Sequence, residues 1–474
     1  MKKAVFVLLC CTAFLAFGAG GAWAAQFCVS KAADLQTDLT TASSNGEDNV
    51  IMVVQGTYTG NFTYGSSSGK SITLQGGYTA GCVSQVFNPA KTVLDGNHAG
   101  AVLALQDTNG GNISVREFTI RNGNNTTGSG GGVFAYSSST LGTGGTITLS
   151  GNTFTGNTGG EAGGVYAQSY SNSGTGGTIT LTENTFMGNY AYTAGGGVFA
   201  YSSSNSGAGG PITFTWNTFT GNTADEAGGV YAYSYGETGS GQIYFYENTI
   251  KGNYAYSIGG GVYGQSSSNS GTGGNLVLLG NTITGNYSYS SGGGVYAESK
   301  IGLGTGGAIT LMENTITGNY AYTEGGGVWV SSYSSSSGTG GNLVLLGNTI
   351  TGNYSYDGGG GVYASSYSSS GTSGATTLTQ NTISGNTAYG LYSGGAGVFI
   401  NAISDSGPGG TITLTGNTVA DNHMYGPGGG VYCQIATTTG TTGTVIFEAN
   451  TITGNIAHDG YGGYTPMLSR ILQV

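Results

Sequence analysis

The sequence predicts an all-β protein folded as a parallel β-helix, a solenoid with about three short strands per coil. Ten repeats of about 33 residues follow one another between Val133 and Asn455. With few departures, each is built from a Gly-Gly-Val-aromatic step, a Ser/Gly-rich stretch, a short apolar run and an Asn-Thr-x-x-x-Asn block. The valine recurs at intervals of 32 to 36 residues, and the second asparagine recurs at intervals of 31 to 36. A fixed period in this range is typical of solenoids, whose units bury their apolar faces only against neighbouring units.

The composition excludes two other classes of glycine-rich protein. Glycine accounts for 96 of 474 residues, but proline numbers only 5 and aromatic residues make up 11% of the chain. Glycine also lacks a three-residue period, so the chain is neither collagen-like nor disordered. The formal net charge is -11. A surface so poor in basic residues cannot neutralise many phosphates, so we expect no nucleic acid partner and no binding to anionic membranes.

The first 24 residues are predicted to be a secretory signal peptide. Lys2 and Lys3 form its basic start, residues 4–17 form an apolar run, and Ala22-Trp23-Ala24 forms a cleavage site of the small-x-small type. A membrane-spanning helix needs about 20 apolar residues, and neither this run nor any later segment has that length. We therefore expect an exported protein without a transmembrane helix in the mature chain, located outside the cell, on its surface or at the outer membrane.

Residues 25–117 are predicted to form an N-terminal cap and the first turns of the solenoid. Residues 30–44 have the pattern of a short amphipathic helix, with Ser30 as a plausible cap and Leu35 and Leu39 on its apolar face. Residues 50–54 read as a buried strand. A helix that closes the end of a strand stack hides an edge that would otherwise pair with other chains.

The mature chain contains few cysteines. Cys28 and Cys82 lie in the same N-terminal segment, where they either pair in an oxidising compartment or remain as two free thiols. Cys433 follows the Val431-Tyr432 step at a position where other repeats carry alanine. We interpret it as a small buried side chain.

Within each repeat, three segments have the pattern of short strands, as in residues 196–201, 211–215 and 217–220. In the middle strand apolar residues alternate with threonine, so one face is buried and the other is wet. A large apolar side chain recurs from Phe154 to Ile452 and is expected to stack as an internal ladder. The asparagines before the corners tolerate left-handed backbone angles and can hydrogen-bond to their copies in the next coil.

The repeats resemble those of chlamydial polymorphic outer membrane proteins, which combine a Phe-x-x-Asn block with a Gly-Gly-apolar-apolar block. The matching blocks here include residues 154–157, 186–189 and 219–222, each followed by Gly-Gly-Val-aromatic, and the resemblance covers residues 118–464. The opening helix, the following strand and Gly56-Thr57-Tyr58 are similar to the start of pectin-lyase-like proteins. This resemblance implies a right-handed parallel β-helix displayed or released outside the cell, often with adhesive function. Residues 465–474 are predicted to form a short C-terminal tail.

The aromatic residue after each valine forms a column that is a candidate ligand-binding surface. If valine points inward, alternation places this column on the outer face, where it could stack sugar rings or receive a protein partner. The alternative is that the rings pack under the Ser/Gly loops or against tyrosines such as Tyr254 and Tyr256. The central members of the column are Tyr166, Phe199, Tyr231, Tyr263, Tyr296, Trp329 and Tyr363.

No catalytic or metal-binding residues are assigned. Glu324 and Asp357 occupy nearly equivalent corners of successive coils, and a second column of acids recurs on alternate coils at Glu183, Glu247 and Glu313. Acids before turns are ordinarily solvated, and a strongly perturbed acid requires burial or charge partners. The three histidines, His98, His423 and His458, are isolated in the sequence. We therefore expect no metal and no cofactor.

The function that the sequence favours is non-enzymatic: an adhesin-like or structural β-helix that binds a carbohydrate or a protein surface. The first alternative is a polysaccharide lyase or glycoside hydrolase of the pectin-lyase-like fold. Such enzymes need positioned carboxylates or a base with cations. The second alternative is a scaffold of the cell envelope. The oligomeric state is not predicted.

Overall fold

The computed structural model describes residues 24–390, 394–426 and 428–458, and the backbone of residues 469–473. The chain forms a right-handed parallel β-helix of about 12 turns, which confirms the predicted fold class. The number of strands per coil differs from the prediction, because each repeat has four strands rather than three. The predicted signal peptide lies outside the described residues except for Ala24, and so does most of the predicted tail.

Two of the four sheets in the described residues hold the middle and last strands that the sequence predicted. Sheet 1 contains Ala25–Val29, Asn49–Val54, Ile72–Tyr78, Ile113–Arg116, Ile147–Ser150, Ile179–Thr182, Ile212–Thr215, Ile243–Tyr246, Leu276–Leu279, Ile309–Met312, Leu343–Leu346, Thr376–Thr379, Ile412–Thr415 and Val445–Glu448. Sheet 2 contains Gly56–Thr59, Thr92–Asp95, Thr119–Arg121, Thr153–Thr155, Thr185–Met187, Thr218–Thr220, Thr249–Lys251, Thr282–Thr284, Thr315–Thr317, Thr349–Thr351, Thr382–Ser384, Thr418–Ala420 and Thr451–Thr453.

The other two sheets lie on either side of the Gly-Gly-Val corner. Sheet 3, which the sequence did not predict, contains Asn124–Ser129, Thr158–Glu161, Tyr190–Ala191, Thr223–Ala224, Tyr254–Ala255, Tyr287–Ser288, Tyr320–Ala321, Tyr354–Ser355, Thr387–Ala388, His423–Met424 and Ile456–Ala457. Sheet 4 contains Phe62–Ser66, Leu103–Asp107, Val133–Ser139, Val165–Ser171, Val198–Ser204, Val230–Gly236, Val262–Ser268, Val295–Ile301, Val328–Ser334, Val362–Ser368, Val398–Ser404, Val431–Thr437 and Ser469–Gln473. The last of these strands pairs antiparallel to its neighbour.

The N-terminal end of the stack is covered by the predicted helix, which spans Ala32–Ala42 and buries Leu35 and Leu39. The amide group of Gln36 exchanges two hydrogen bonds with the backbone of Thr63, at 3.0 and 2.8 Å, on the first strand of sheet 4. The helix therefore occupies the edge of that strand. The residue before the helix is Lys31 rather than Ser30, and no side chain caps the helix. Two short 3-10 helices, Ala80–Cys82 and Pro89–Lys91, follow.

The core is a continuous apolar column in which each side chain packs against the equivalent side chain of the next coil. Val198 pairs in register with Val230, and the valines of sheet 4 are fully buried. In sheet 2, the rings of Phe154, Phe186 and Phe219 stack with centroids 4.8 Å apart. Burial of such side chains is the main favourable term in folding, and the parallel register repeats it in every coil.

Two buried columns of asparagine lie at the corners on either side of sheet 2. The backbone and side-chain nitrogens of Asn184 both donate to Oδ1 of Asn217, at 2.9 and 3.1 Å, and Asn189 bonds to Asn222 in the same way. The predicted hydrogen bonding between copies is thus present. The left-handed backbone angle, however, belongs to the residue before each asparagine, such as Glu183 with φ 57° and Gly188 with φ 61°.

In the first turns, Cys28 and Cys82 form a disulfide whose Cα atoms are 5.8 Å apart. The bond ties the first strand of sheet 1 to the 3-10 helix that follows the third strand of that sheet. Cys433 is a buried free thiol, and burial raises the pKa of its thiol to about 12. It therefore remains protonated at neutral pH.

Candidate functional site

The aromatic column lies on the outer face of sheet 4, as alternation from the inward valines requires. Although it faces outward, the column is largely covered: Tyr263 exposes only 6% of its surface, and Tyr166 and Phe199 are also buried. The remaining candidates, Tyr231, Tyr296, Trp329 and Tyr363, are half-buried. Each ring packs against the ring in the next coil.

The stacking of these rings determines which atoms a ligand can reach. From Phe134 to Tyr432, successive ring centroids are 4.1 to 6.0 Å apart and the ring planes are tilted by 3 to 11°. Both faces of an internal ring are therefore occupied by its neighbours. A sugar cannot stack on the middle of such a column, because only ring edges and hydroxyl groups are presented to solvent.

The outer face carries a second row of polar groups two residues beyond the aromatic column. The hydroxyl of Tyr166 donates to Gln168 at 2.7 Å, and that of Tyr263 donates to Gln265 at 3.0 Å. Tyr201 and Tyr233 stack at 5.1 Å in this row. Burial, followed by interaction with Tyr201, raises the pKa of Tyr233 to about 12, so its hydroxyl is a hydrogen-bond donor at neutral pH.

An open cleft of about 410 Å³ lies where sheet 3 meets sheet 4, and we call it the acidic cleft. Glu161 ends one strand of sheet 3, and Asp225 and Glu226 follow another. At this point the chain turns the corner into sheet 4, so the three acids lie at that corner. The lining is made up of Glu161, Thr193, Ala194, Phe199, Tyr201, Asp225, Glu226, Tyr231 and Tyr233. These described residues include three carboxylates and neither Lys nor Arg.

Glu226 is held firmly in the acidic cleft. Its backbone N–H donates to the carbonyl of Thr193 at 2.7 Å, and its own carbonyl accepts from the N–H of Gly195 at 2.9 Å. Burial, reinforced by the charge of Asp225, raises the pKa of the Glu226 carboxyl. On the other side of the cleft, the hydroxyl of Ser129 donates to Glu161 at 3.2 Å. A half-buried acid with a raised pKa in a cleft marks a candidate functional site.

Further acids lie in later coils, with Glu298 in the polar row of sheet 4, in register with Gln265, and Glu324 at the corner between sheets 3 and 4. Burial raises the pKa of Glu298, although Lys300 forms an ion pair with it at 2.9 Å. Glu324 accepts a hydrogen bond from Nε1 of Trp329 at 3.3 Å. Burial and the nearby charge of Asp357 raise the pKa of Glu324, so these two predicted neighbours do interact across successive coils.

The other acidic column, Glu183, Glu247 and Glu313, lies at the corner between sheets 1 and 2 and is exposed. Its members adopt positive φ values of 50 to 57°, and Glu247 accepts a hydrogen bond from Nε1 of Trp216 at 3.0 Å. These acids lie on a different corner from the acidic cleft. Their exposure agrees with the interpretation of solvated carboxylates.

Two of the three histidines are not isolated in space, which corrects the reading of the sequence. His423 lies in a strand of sheet 3, and His458 directly follows the last strand of that sheet. The centroids of the two rings are 4.7 Å apart, and both rings lie beside Tyr425. Among the described residues, however, no three His, Cys, Asp or Glu side chains form a group able to hold a metal ion.

Sequence reasoning missed a second aromatic surface on sheet 3, which we call the tyrosine rows. The inner row is half-buried and contains Tyr190, Tyr254, Tyr287, Tyr320 and Tyr354. The outer row, two residues further on, is exposed and contains Tyr192, Tyr256, Tyr289, Tyr322 and Tyr356. The signal was present in the sequence as five copies of Asn-Tyr-x-Tyr, at residues 189–192, 253–256, 286–289, 319–322 and 353–356.

No protein-family model matches the sequence, and no curated protein matches it. Among solved structures, the chain is similar to the A-module of mannuronan C-5 epimerase AlgE6 from Azotobacter vinelandii, at 13% identity and a TM-score of 0.40, over 90% of this chain and 95% of that one. A mannuronic acid specific polysaccharide family 6 lyase from human gut microbiota matches at 12% identity and a TM-score of 0.34, over 77% and 82%.

A third similar structure is PfbA, a surface adhesin of Streptococcus pneumoniae, at 9% identity and a TM-score of 0.27, over 94% of this chain and 95% of that one. At TM-scores of 0.40 and below, these likenesses carry no further conclusion about this chain. The resemblance to chlamydial repeats therefore stays a prediction. Within the part of the chain that the structure describes, no helix is both long and apolar enough to cross a bilayer.

Proposed function

We propose that this chain is an exported, non-enzymatic β-helix that binds an extended neutral or amine-bearing glycan along the outer face of sheet 4. The observation that carries this proposal is the acidic cleft, in which Glu226 and Asp225 lie beside the hydroxyl edges of Tyr201 and Tyr233. Hydroxyl and carboxylate groups in a shallow open cleft suit the many donors and acceptors of a sugar chain. The parallel register extends the same face over successive coils, which suits a polymer.

Charge narrows the class of glycan. The lining of the acidic cleft carries three acids and neither Lys nor Arg. A polyuronate would bring further negative charge to this cleft without cationic partners, and like-charge juxtaposition opposes binding. Neutral chains and chains with protonated amines do not meet this repulsion. Export is supported by the signal-like pattern of residues 1–24 and by the disulfide between Cys28 and Cys82, which suits an oxidising compartment.

The test is a binding assay with the mature chain, residues 25–474, and immobilised xylan, chitosan and alginate. We expect retention on xylan or chitosan and none on alginate. Glu226→Gln is expected to weaken retention about tenfold, because a charge-assisted hydrogen bond is lost. Tyr233→Phe, which keeps the ring and removes the hydroxyl, is expected to weaken it about threefold to fivefold.

Glu183→Gln is the matched control, since it removes the same charge from the exposed corner between sheets 1 and 2. Equal retention of all three polymers by the wild type, or equal loss in the Glu183 and Glu226 variants, would contradict the proposal.

A second candidate function is glycoside hydrolysis, and the raised pKa of Glu226 favours it specifically. In this reaction Glu226 would protonate the leaving glycosidic oxygen, and Asp225 or Glu161 would be the second carboxylate. New reducing ends from a neutral glycan, abolished in Glu226→Gln but not in Glu183→Gln, would establish hydrolysis in place of simple binding. Lyase chemistry is less well supported, because the cleft lining offers no cation to neutralise a uronate.

A further inference from the structure

The tyrosine rows of sheet 3 are interrupted in one coil. Thr223 pairs in register with Tyr190 of the preceding coil and with Tyr254 of the following one. Two residues further on, Asp225 takes the outer-row position between Tyr192 and Tyr256. The hydrogen bonds of the corner confirm this alignment, because the N–H of Tyr256 donates to the carbonyl of Ala224 at 3.0 Å. One coil therefore lacks both of its tyrosines.

The missing tyrosines leave a slot walled by two pairs of rings. Within each wall the rings meet edge to face: Tyr190 and Tyr192 have centroids 5.1 Å apart at 87°, and Tyr254 and Tyr256 have centroids 4.8 Å apart at 73°. The far side of Tyr254 is covered by Tyr287, stacked at 4.8 Å. Its near side faces the coil of Thr223, where no aromatic side chain stands among the residues at these two row positions. We call this space the tyrosine slot.

The width of the slot follows from the spacing of parallel strands. Neighbouring strands lie about 4.8 Å apart, so walls separated by two strand steps are about 10 Å apart. A group midway between them lies about 5 Å from each wall, inside the ~6 Å within which a cation is attracted by an aromatic face. A flat sugar or aromatic ring, which needs contact at about 3.5 Å on each side, would leave space unfilled.

The charge in the slot has the matching sign. Asp225 is exposed between the two walls. Burial is the main cause that raises the pKa of Tyr190, and Tyr256, Tyr192 and Asp225 add to it in the same direction. A carboxylate together with several aromatic rings is the combination that recognises quaternary ammonium groups.

We propose that the tyrosine slot binds a trimethylammonium group, with the rings of Tyr190, Tyr192, Tyr254 and Tyr256 around the methyl groups and Asp225 balancing the charge. This site is separate from the glycan surface of sheet 4, although Asp225 contributes to both. Tyr190 and Tyr254 belong to sheet 3, and Tyr192 and Tyr256 directly follow its strands. Neither these residues nor Thr223 line the acidic cleft.

The experiment uses tetramethylammonium chloride as the probe and follows its methyl protons by saturation-transfer NMR with the mature chain. The neutral comparison probe is 3,3-dimethylbutan-1-ol, whose tert-butyl group is the uncharged carbon counterpart of a trimethylammonium group. We expect saturable binding of the cation, at least fivefold tighter than that of the alcohol. Equal affinity for the two probes would overturn the proposal, because it would reduce the slot to an apolar surface.

Three variants locate the binding. Thr223→Tyr restores the row that neighbouring coils carry and fills the slot, so binding is expected to disappear. Tyr256→Leu is expected to weaken binding about fivefold. Tyr289→Leu is its matched control, since Tyr289 is exposed to 54% and Tyr256 to 53%, but Tyr289 lies in the uninterrupted part of the row. Equal losses in the Leu variants, or full binding by Thr223→Tyr, would contradict the proposal.

Two further arms identify the source of the group. Free choline and phosphatidylcholine vesicles are tested with the wild type and with Thr223→Tyr. Binding of choline alone assigns a soluble ligand, and additional flotation with vesicles, lost in Thr223→Tyr, assigns a lipid headgroup. Because Thr223→Tyr leaves the lining of the acidic cleft unchanged, retention of this variant on xylan or chitosan separates a failure of the slot from a failure of the glycan proposal.

Discussion

The first turns of the solenoid and the repeats that follow them satisfy their buried polar groups in different ways. In residues 24–117, the hydrogen bonds of buried polar side chains occur once each: Asn49 donates to the carbonyl of Ala42 at the end of the helix, and the hydroxyl of Tyr58 donates to the carbonyl of Val54. Asp95 forms an ion pair with Arg121, at 2.8 Å, where the first turns meet the repeats. In the repeats, one solution recurs, and each corner asparagine bonds to its own copy in the next coil.

This difference shows which contacts determine the structure of each region. The repeats require only that one coil match the next, because identical side chains meet in register. Within the described residues no coil precedes the first turns, which carry instead a helix, a disulfide and contacts that occur once. Three predictions sharpen this comparison, and they are given in order of decreasing effect.

Loss of one corner asparagine in the repeats is expected to have the largest effect. In Asn319→Ala, the buried N–H of Asn286 loses its acceptor and the carbonyl of Ile283 loses its donor. Each orphaned buried group costs about 1–3 kcal/mol, so we expect the free energy of unfolding to fall by about 4 kcal/mol or more. Urea denaturation followed by circular dichroism measures the change.

The control for this prediction is Asn275→Ala. Asn275 is exposed, and its side chain accepts one hydrogen bond, from the N–H of Ala308 at 2.9 Å. Its removal is expected to cost about 1 kcal/mol or less. Similar losses in the two variants would show that the buried asparagine column does not stabilise the repeats as argued.

Removal of the disulfide is expected to have an intermediate effect that is confined to the first turns. The double change Cys28→Ser and Cys82→Ser opens a loop closed over 54 residues and is expected to cost about 2–4 kcal/mol. Hydrogen exchange measured by mass spectrometry should show loss of protection in residues 25–117 and little change in the central coils. Cys433→Ala removes a thiol outside any disulfide and is the control. A loss of protection spread evenly along the chain would contradict the division into two regions.

The smallest effects are expected from two carboxylates whose pKa values are shifted in opposite directions. Burial favours a raised pKa for Asp95, but hydrogen bonds from Asn122, Asn97 and Arg121 outweigh it and lower the pKa. Asp95 therefore contributes stability above the pKa of the unfolded chain, and this contribution is lost as the pH falls through the folded pKa. The contribution of Glu324 to stability has the opposite sign. Burial and Asp357 raise the pKa of this carboxyl, so its ionised form lowers the free energy of unfolding at neutral pH.

Asp95→Asn is thus expected to destabilise the protein at pH 7, and Glu324→Gln is expected to stabilise it, each by less than about 1 kcal/mol. The glutamine can still accept the hydrogen bond from Trp329. Both differences should shrink toward pH 3, and thermal unfolding at pH 7, 5 and 3 measures them. Changes of the same sign at pH 7 would contradict the contrast between the two carboxylates.

The fold could be predicted because repetition turns weak signals into strong ones. One Gly-Gly-Val step has little meaning, but its recurrence fixes which side chains face inward and which residues pair. The fourth strand of each coil escaped prediction because two residues such as Tyr190 and Ala191 are too short to show any alternation. Ser30 was predicted as the N-cap because its hydroxyl is a suitable capping group. The helix begins one residue later than expected, so the N-cap is Lys31, whose side chain has no oxygen to accept a hydrogen bond.

The site was predicted less well, for a physical reason. The sequence placed the aromatic column on the outer face of sheet 4 but could not reveal that rings such as Tyr231 and Tyr263, 4.5 Å apart, cover each other's faces. From the sequence, the acids were also interpreted as columns of solvated side chains. The raised pKa of an acid such as Glu226 depends on its burial at the corner between sheets 3 and 4, which the sequence does not show. The tyrosine slot depends on residues that are absent from a pattern, and an absence is visible only once the neighbouring coils are aligned.

The asparagine columns also give the stack a direction. In both columns the backbone N–H and the side-chain nitrogen of each asparagine donate to Oδ1 of its copy in the later coil, as from Asn152 to Asn184 and from Asn422 to Asn455. The same side-chain nitrogen also donates to a backbone carbonyl of the earlier coil, as from Asn152 to Val115. A partly assembled stack therefore ends in amide protons that await the oxygen of the next copy. The two ends of an asparagine column are therefore chemically different, since the earlier coil of each pair supplies the donors and the later coil supplies the acceptor.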